Sequence, residues 1–234
     1  MDSLLLLEQT LNGLTLGVML FLMAAGLTLI FGVMDVINLA HGSLYMLGAF
    51  AGATVTARTG SFALGVLAGV AASAVIALLL ERILIRRLYT RDHLDQVLAT
   101  YALILIANES VKIVWGPQPI FLGTPEALSG SVEIIPGVPY PAYRLAIIGA
   151  GILAAAFLWW LIARTRLGML IRAGTTHRAI VQALGVNIQV LFALVFAIGG
   201  ALAGLAGMMA GPLLAVQVGM GEQILILTFV VVVV

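Results

Sequence analysis

The chain has 234 residues, of which 62% are hydrophobic and 9% are charged, and its formal net charge is +1. A mean hydropathy of +1.18 is too high for a soluble domain or a disordered chain, and the near-zero net charge removes an electrostatic case for nucleic-acid binding. Because there is no cysteine, the composition excludes disulfides, thiolate metal sites and thiol catalysis.

Long uncharged segments follow one another along the chain. The first covers residues 11–31, and these 21 residues would form a helix about 30 Å long, which is the hydrocarbon thickness of a bilayer. Strands of a transmembrane barrel alternate apolar and polar residues, so unbroken apolar segments exclude a barrel. We predict an all-α, polytopic helical membrane protein with about six full spans, at residues 11–31, 41–57, 61–80, 94–115, 145–163 and 188–211.

An incomplete seventh span is predicted to begin near Glu222. It reaches Val234 after about a dozen apolar residues, which are too few to cross a bilayer, so we expect the chain to be C-terminally truncated.

The arginines lie in two clusters that predict the orientation in the membrane. By the positive-inside rule, both clusters should be cytoplasmic. Residues 116–143 contain no Lys or Arg and hold most of the seven prolines, so they are predicted to form an external loop, which places the N-terminus outside. The clusters are Arg82, Arg86, Arg87 and Arg91 after the third span, and Arg164, Arg166, Arg172 and Arg178 after the fifth.

Small residues recur every four positions in several spans, where they allow helix backbones to approach closely. This spacing mainly predicts contacts within the molecule. The pairs are Gly48 and Gly52, Gly65 and Gly69, and Gly200 and Gly204.

A polar segment separates the first two spans without room for an ordinary aqueous loop. A break in helical structure here would expose backbone groups and a helix N-terminus, the arrangement that transporters use near a substrate. We therefore take Asn38, Ser43 and His41 as candidates for a substrate pathway. The alternative is that Asp35 and Asn38 only cap a turn between two helices. His41 has no second His or carboxylate at metal-ligand spacing, so no metal site is predicted.

The fourth span carries Glu109 and Lys112 near its external end, three residues apart, and the two side chains are predicted to pair. Lys112 is the only lysine, so the chain cannot contain a GxxxxGK[ST] phosphate loop and is not expected to hydrolyse ATP by that route. The spans also contain no paired carboxylates, HExxH or Ser/His motif, which argues against an intramembrane enzyme.

The second basic connection, residues 164–187, contains the pattern of a short amphipathic helix. Gly174 is predicted to break the chain, Thr175 or Thr176 to cap the helix, and Gly185 to end it. Ile180, Val181 and Leu184 form its apolar stripe. Such a helix fits either a position on the membrane surface or docking to a cytoplasmic partner.

Three segments of the chain resemble the permease subunits of bacterial ABC importers for branched-chain amino acids. They are GLTLIFGVMDVINLAHGSLYMLGAF, the segment RAGTTHRAIVQALGVNIQVLFALVFAIGGALAGLAGMMAGPLLAV, and GMGEQILILTFVVVVV. The similarity covers essentially the whole chain. It implies a single permease domain over residues 1–234, whose C-terminal part is missing because family members have about eight spans.

The resemblance also implies a site for the ATPase. In the family, the segment matching residues 172–187 is the coupling helix that the ATPase grips, and it often carries acidic residues where this chain has Thr176 and His177. The residues that this implies for the coupling helix are Arg172, Thr176, Arg178, Ile180, Val181, Leu184 and Gly185.

The implied protein is a multi-pass permease of the bacterial inner membrane that has no catalytic chemistry and binds no cofactor itself. Its implied partners are membrane lipid, a second permease subunit that is a paralogue of this chain, cytoplasmic ATPase subunits that bind ATP and Mg²⁺, and an external substrate-binding protein. The alternatives are a permease for urea or short amides and a passive channel for small solutes. Selectivity in such systems resides largely in the binding protein, so this sequence does not identify the substrate.

Overall fold

The computed structural model describes residues 2–135, 138–176 and 178–233, without the side chains of 2–4, 134, 135, 138 and 178–180. In this part, five helices are long and apolar enough to cross a bilayer, which confirms the all-α polytopic fold. The ten helices described are α1 (Asp2–Met34), α2 (His41–Thr59), α3 (Phe62–Leu80), α4 (Arg86–Leu88), α5 (His93–Trp115), α6 (Ala142–Arg164), α7 (Arg166–Thr176), α8 (Arg178–Ala183), α9 (Ile188–Ala210) and α10 (Met220–Val233). The five are α1, α3 with its extension to Leu88, α5, α6 and α9.

Helix α2 occupies the second predicted span but is not among those five. Most of its residues between His41 and Ala53 are buried, and its closest neighbours are α3 and α9. The helix is therefore shielded from lipid by other helices and tolerates more polar residues than a lipid-facing span.

Glycines allow α2, α3 and α9 to pack with their backbones in close contact. A Cβ built on Gly48 would lie 2.6 Å from the Cα of Gly204, and one built on Gly52 would lie 2.7 Å from the carbonyl oxygen of Gly65. The Ser73 hydroxyl, on α3, donates to the carbonyl oxygen of Leu44 on α2 at 2.8 Å. The predicted packing of small residues is thus confirmed.

The predicted external loop contains structure that the sequence analysis did not predict. Strands β1 (Ser131–Ile135) and β2 (Val138–Pro141) form an antiparallel hairpin, in which Val132 pairs with Tyr140. The Tyr140 hydroxyl donates to the Asn12 side chain of α1 at 3.3 Å, and the Tyr143 hydroxyl donates to the Met209 carbonyl of α9 at 2.8 Å. These bonds hold the loop against the ends of two spans.

Candidate functional site

The chain leaves helical structure between α1 and α2, as the polar segment suggested. Asp35, just after α1, is exposed and has a φ of 55°, in the left-handed region that few residues other than glycine adopt. Asn38 accepts a hydrogen bond from the backbone of Ala40 at 3.1 Å, so it supports the turn as the alternative interpretation expected.

A buried glutamine satisfies the backbone of this irregular segment. The Gln96 side chain, 2% exposed, accepts from the N–H of Ile37 at 3.2 Å. Its amide nitrogen donates to the carbonyl oxygens of Leu88 and Arg91, each at 3.2 Å. Inside a membrane protein, non-helical backbone needs such partners, because lipid supplies none.

Helix α2 begins deep inside the bundle. A Cβ built on Gly26 of α1 would lie 3.0 Å from Nε2 of His41 and 2.8 Å from the carbonyl oxygen of Gly199 on α9. Gly26 lies eight residues before the end of α1, which corresponds to about 12 Å of helix. Gly199 lies eleven residues after the start of α9, which corresponds to about 16 Å. The first turn of α2 therefore lies well inside the ends of its neighbours.

Helix α10 begins at the same place. A Cβ built on Gly42 would overlap the carbonyl oxygen of Gly221, and one built on Gly221 would overlap that of Gly42, so the two backbones touch. The first turns of α2 and α10 thus meet inside the bundle, where helix N-termini concentrate unpaired N–H groups and partial positive charge. We call the group formed by Asn38, His41, Gly42, Ser43, Asn108, Gly221 and Glu222 the α2–α10 junction.

Four residues of this group carry buried side-chain atoms without a hydrogen-bond partner; the His41 ring lies against Gly26 of α1, whereas Glu222 bonds to Asn108 of α5. In the described part of the chain there are five such atoms: Nδ2 of Asn38, Nδ1 and Nε2 of His41, Oδ1 of Asn108 and Oε2 of Glu222. His41 is 0% exposed and Asn38 1%. A buried polar atom without a partner is costly, so its persistence in a native fold calls for an explanation such as a ligand.

Two cavities lie beside α10, and one of them is lined by a residue of the junction, Asn38. One, of about 270 Å³, lies beside the first two turns of α10 and is lined by residues that include Tyr45, Gln217, Met220 and Gln223. The other, of about 170 Å³, lies beside the last turn of α10 and is lined by Asn38 and by apolar residues such as Phe229.

A second polar cluster joins the end of α3 to the start of α9. Glu81 begins a π-helical turn, Glu81–Ile85, and its buried carboxylate pairs with Arg86 at 3.2 Å. The Tyr89 hydroxyl donates to the same carboxylate at 2.6 Å, and Arg86 donates to the Gln189 side chain at 3.2 Å. Tyr89 also packs edge-on against Phe192 of α9, with ring centroids 5.2 Å apart.

The proposed docking segment differs from its sequence prediction at Gly174. This glycine does not break the chain, because it lies buried within α7, where a Cβ would be 3.3 Å from Leu191 of α9. Thr175 and Thr176 lie in the last turn of α7, where both hydroxyls donate to the carbonyl of Arg172 at 2.8 and 3.1 Å. His177 lies outside the described residues, as do the side chains of Arg178 and Ile180.

The end of α8 agrees with the prediction. Gly185 has a φ of 84°, its N–H donates to the Gln182 carbonyl at 2.9 Å, and the N–H of Val186 donates to the Val181 carbonyl at 3.2 Å. This pair of bonds is the Schellman motif, in which a left-handed glycine ends a helix. The Val181 side chain is buried, whereas Leu184 is 78% exposed and available to a partner.

Several residues of these two sites were missed by the sequence analysis. Glu109 and Lys112 do pair, at 2.6 Å, but the neighbouring Asn108 instead donates to Glu222 at 2.5 Å. Glu222 has a signal in the sequence, because it is the only charged residue after Arg178 and stands between long apolar segments. Nothing comparable marks Gln96 or Glu81.

Comparisons with known proteins agree on one group. A family profile described as "Branched-chain amino acid transport system / permease component" matches residues 9–234. The high-affinity branched-chain amino acid transport system permease protein BraD of Pseudomonas aeruginosa is 30% identical over 218 residues. The LivH permease proteins of Salmonella typhimurium and Escherichia coli K12 are 26% and 27% identical over 224 residues. Each alignment covers 88% of this chain and 70% of the relative. No solved structure matches the chain.

Proposed function

Because the chain belongs to the family of permease components of branched-chain amino acid transport systems, we propose that this multi-pass protein of the bacterial cytoplasmic membrane is the permease of an ATP-driven importer. The family match over residues 9–234 carries this proposal. In it, residues 1–234 act as a single permease domain that binds no cofactor itself. ATP and Mg²⁺ bind to separate ATPase subunits.

The ATPase docks on residues 172–187. The exposed Leu184 supports this position, since it offers an apolar contact on a helix that ends sharply at Gly185. Asn187 caps α9 by accepting from the N–H groups of Gln189 and Val190 at 3.0 and 3.2 Å, so a displacement of α8 passes directly to α9. A second permease subunit and an external substrate-binding protein complete the transporter. Nucleotide and substrate shift the helices between outward and inward states by binding them with different affinity.

The substrate passes through the α2–α10 junction. Asn38, His41 and Ser43 line its α2 side, and their burial inside the bundle supports this role. Ser43 and Asn38 supply neutral hydrogen-bonding groups, which contact a passing solute without holding it by a full charge.

The substrate is a branched-chain amino acid in this proposal. The printed names of the relatives BraD and LivH support this class. The alternatives are a urea or short-amide importer and a passive channel. The experiment below distinguishes both from an importer of branched-chain amino acids.

Transport in proteoliposomes tests the proposal. The permease, its partner permease and the ATPase subunits are reconstituted together, the binding protein is added outside, and labelled leucine uptake is measured with and without internal ATP. We expect uptake only when ATP and the binding protein are both present. Leucine uptake without ATP would identify a channel, and ATP-dependent uptake of urea in place of leucine would identify an amide importer.

A further inference from the structure

We propose that an apolar groove beside α1 binds the acyl chain of an anionic phospholipid, and that the phosphate group of this lipid lies at Arg172. The groove has a volume of about 500 Å³. It is lined by α1 between Phe21 and Val33, by Leu158 and Ile162 of α6, by the end of α10 and by Thr175 of α7. We call it the α1–α6 groove.

The length and polarity of the α1–α6 groove suit a single acyl chain. From Phe21 to Val33, α1 rises by about 18 Å, and a hydrocarbon core about 30 Å thick leaves about 15 Å to each leaflet. The lining residues are apolar except for Thr28 and Thr175. Phe21 and Gly32 are exposed, so the groove is open along its side and lipid enters it directly from the bilayer.

One end of the groove lies near the predicted cytoplasmic surface and carries Arg172. Ile162 lies two residues before the end of α6, and Val33 lies one residue before the end of α1. Arg172 donates to the carbonyl oxygen of Ile162, and the Thr175 hydroxyl donates to the carbonyl oxygen of Arg172 at 2.8 Å. Because Ile162 and Thr175 both line the groove, these bonds hold the guanidinium group of Arg172 at this end.

Arg172 has no acidic partner among the described residues. The ion pairs in that part of the chain are Arg86 with Glu81 and Lys112 with Glu109, and residues 164–187 contain no Asp or Glu. The Arg172 side chain is exposed and has further N–H groups besides the one that bonds to Ile162.

A phosphate group fits such a guanidinium group, because it accepts two parallel hydrogen bonds and carries the opposite charge. Basic sites between spans on the cytoplasmic side bind anionic head groups for this reason. A helix of a partner protein would fill the apolar part of the groove, but it would need an acidic residue for Arg172. An anionic phospholipid supplies both the apolar chain and the charge.

Photo-cross-linking with lipids tests this inference. The complete transporter is reconstituted in phosphatidylcholine vesicles that contain a small amount of phosphatidylglycerol or phosphatidylcholine with a photoactivatable group in the acyl chain. Mass spectrometry then identifies the cross-linked peptides of the permease. We expect phosphatidylglycerol to label residues 21–33 and 158–162 about fivefold more than phosphatidylcholine does, which is the effect expected of one arginine near an anionic lipid.

Variants of arginine separate the effect of charge from that of structure. Arg172→Gln should abolish the preference for phosphatidylglycerol, whereas Arg172→Lys keeps the charge without the planar group and should retain part of the preference. Arg58→Gln, which changes an exposed arginine in the last turn of α2, should leave the preference unchanged.

A variant that fills the groove tests the position of the acyl chain. A Cβ on Gly32 meets nothing within 4 Å, so Gly32→Leu places a side chain in the groove without forcing helices apart. This change should reduce the labelling of residues 158–162 by both lipids. Gly13→Leu, at another open position of α1, should not reduce it.

Equal labelling of the two segments by both lipids, or an unchanged preference in Arg172→Gln, would overturn the inference. Labelling elsewhere on the permease but not in residues 21–33 and 158–162 would also overturn it, because protein would then cover the groove. The comparison of the two lipids uses the native chain, so it decides the matter even if a variant fails to fold. Cross-linking requires no transport, so its result is independent of the proposed function.

Discussion

At the scale of single residues, the glycines of α2, α3 and α9 set how closely these helices approach. A Cβ on Gly204 would lie 2.7 Å from the Cβ of Ser73 and 2.8 Å from the carbonyl oxygen of Gly69. Both are parts of α3 that cannot rotate away. The position therefore accepts no side chain without separating two helices.

We expect Gly204→Ala to lower the stability of the purified permease in detergent by about 1–3 kcal/mol, because overpacking forces the backbones apart. The stability of each variant is measured by thermal unfolding, with the loss of monodispersity as the signal. Gly13→Ala is the control, since a Cβ there meets nothing within 4 Å. Equal stability of the two variants would show that α3 and α9 adjust without cost.

The glycine spacing predicted close helix packing but not which helices meet. Gly48 and Gly52 both lie on α2, and each contacts both α3 and α9, Gly48 at Gly204 and Gly52 at the side chain of Met208. The same limit applies to the junction. Asn38 and His41 stood out in the sequence, but the contact of the neighbouring Gly42 with Gly221, about 180 residues later, depends on tertiary packing that no local pattern encodes.

At the scale of elements, the π-helical turn after α3 ties two spans together. The Glu81 carboxylate is 0% exposed and is bonded by Arg86 and Tyr89. Through Gln189 and Phe192 the same residues contact the first turns of α9. This cluster therefore connects α3 to the helix that follows the docking segment.

Replacing Glu81 by Ala is expected to destabilise the permease by about 1–3 kcal/mol, because Arg86 and the Tyr89 hydroxyl lose their buried acceptor. The partial exposure of Arg86 keeps the effect below that of a fully buried pair. The measurement is thermal unfolding alongside Glu109→Ala, which removes an exposed pair and should change stability by about 1 kcal/mol or less. A larger loss from the exposed pair would contradict this ranking.

Coupling to the ATPase is expected to depend on Leu184. Because this side chain is exposed, Leu184→Asp should leave the permease folded but remove an apolar contact and place a charge at the docking surface. Transport-coupled ATP hydrolysis in the reconstituted complex should fall about tenfold or more, while Leu184→Met should retain it. Normal hydrolysis with Leu184→Asp would rule out docking at this residue.

The sequence predicted the long helices correctly but not the role of Gly174 or the β-hairpin. The long apolar spans were found because length and the lack of charge suffice to identify them. Gly174 misled the prediction, since a buried glycine chosen for close packing looks the same in sequence as one that ends a helix. The hairpin was missed because Pro139 and Pro141 lie in β2, and proline is tolerated only in edge strands such as those of a two-stranded sheet.

At the scale of the whole molecule, the arrangement of charges predicts opposite sides for the external loop and the docking segment. Cysteines introduced singly at Ser129 and at Gln182, both in exposed positions, test this directly. In intact cells, an impermeant thiol reagent should label Ser129→Cys and not Gln182→Cys, whereas both should react after the membrane is opened. Labelling of Gln182→Cys from outside would reverse the topology and remove the ATPase site.

The burial of α2 also has a consequence for how the chain enters the membrane during synthesis. A helix that is not apolar enough to be stable alone in lipid needs a partner when it leaves the translocation machinery. Helix α3 provides one at once, because only Gly60 and Ser61 separate the two helices and their glycine faces already match. Helix α9, the other partner, is synthesised more than a hundred residues later. The pair α2–α3 is therefore expected to insert as one helical hairpin, and α9 then completes its burial.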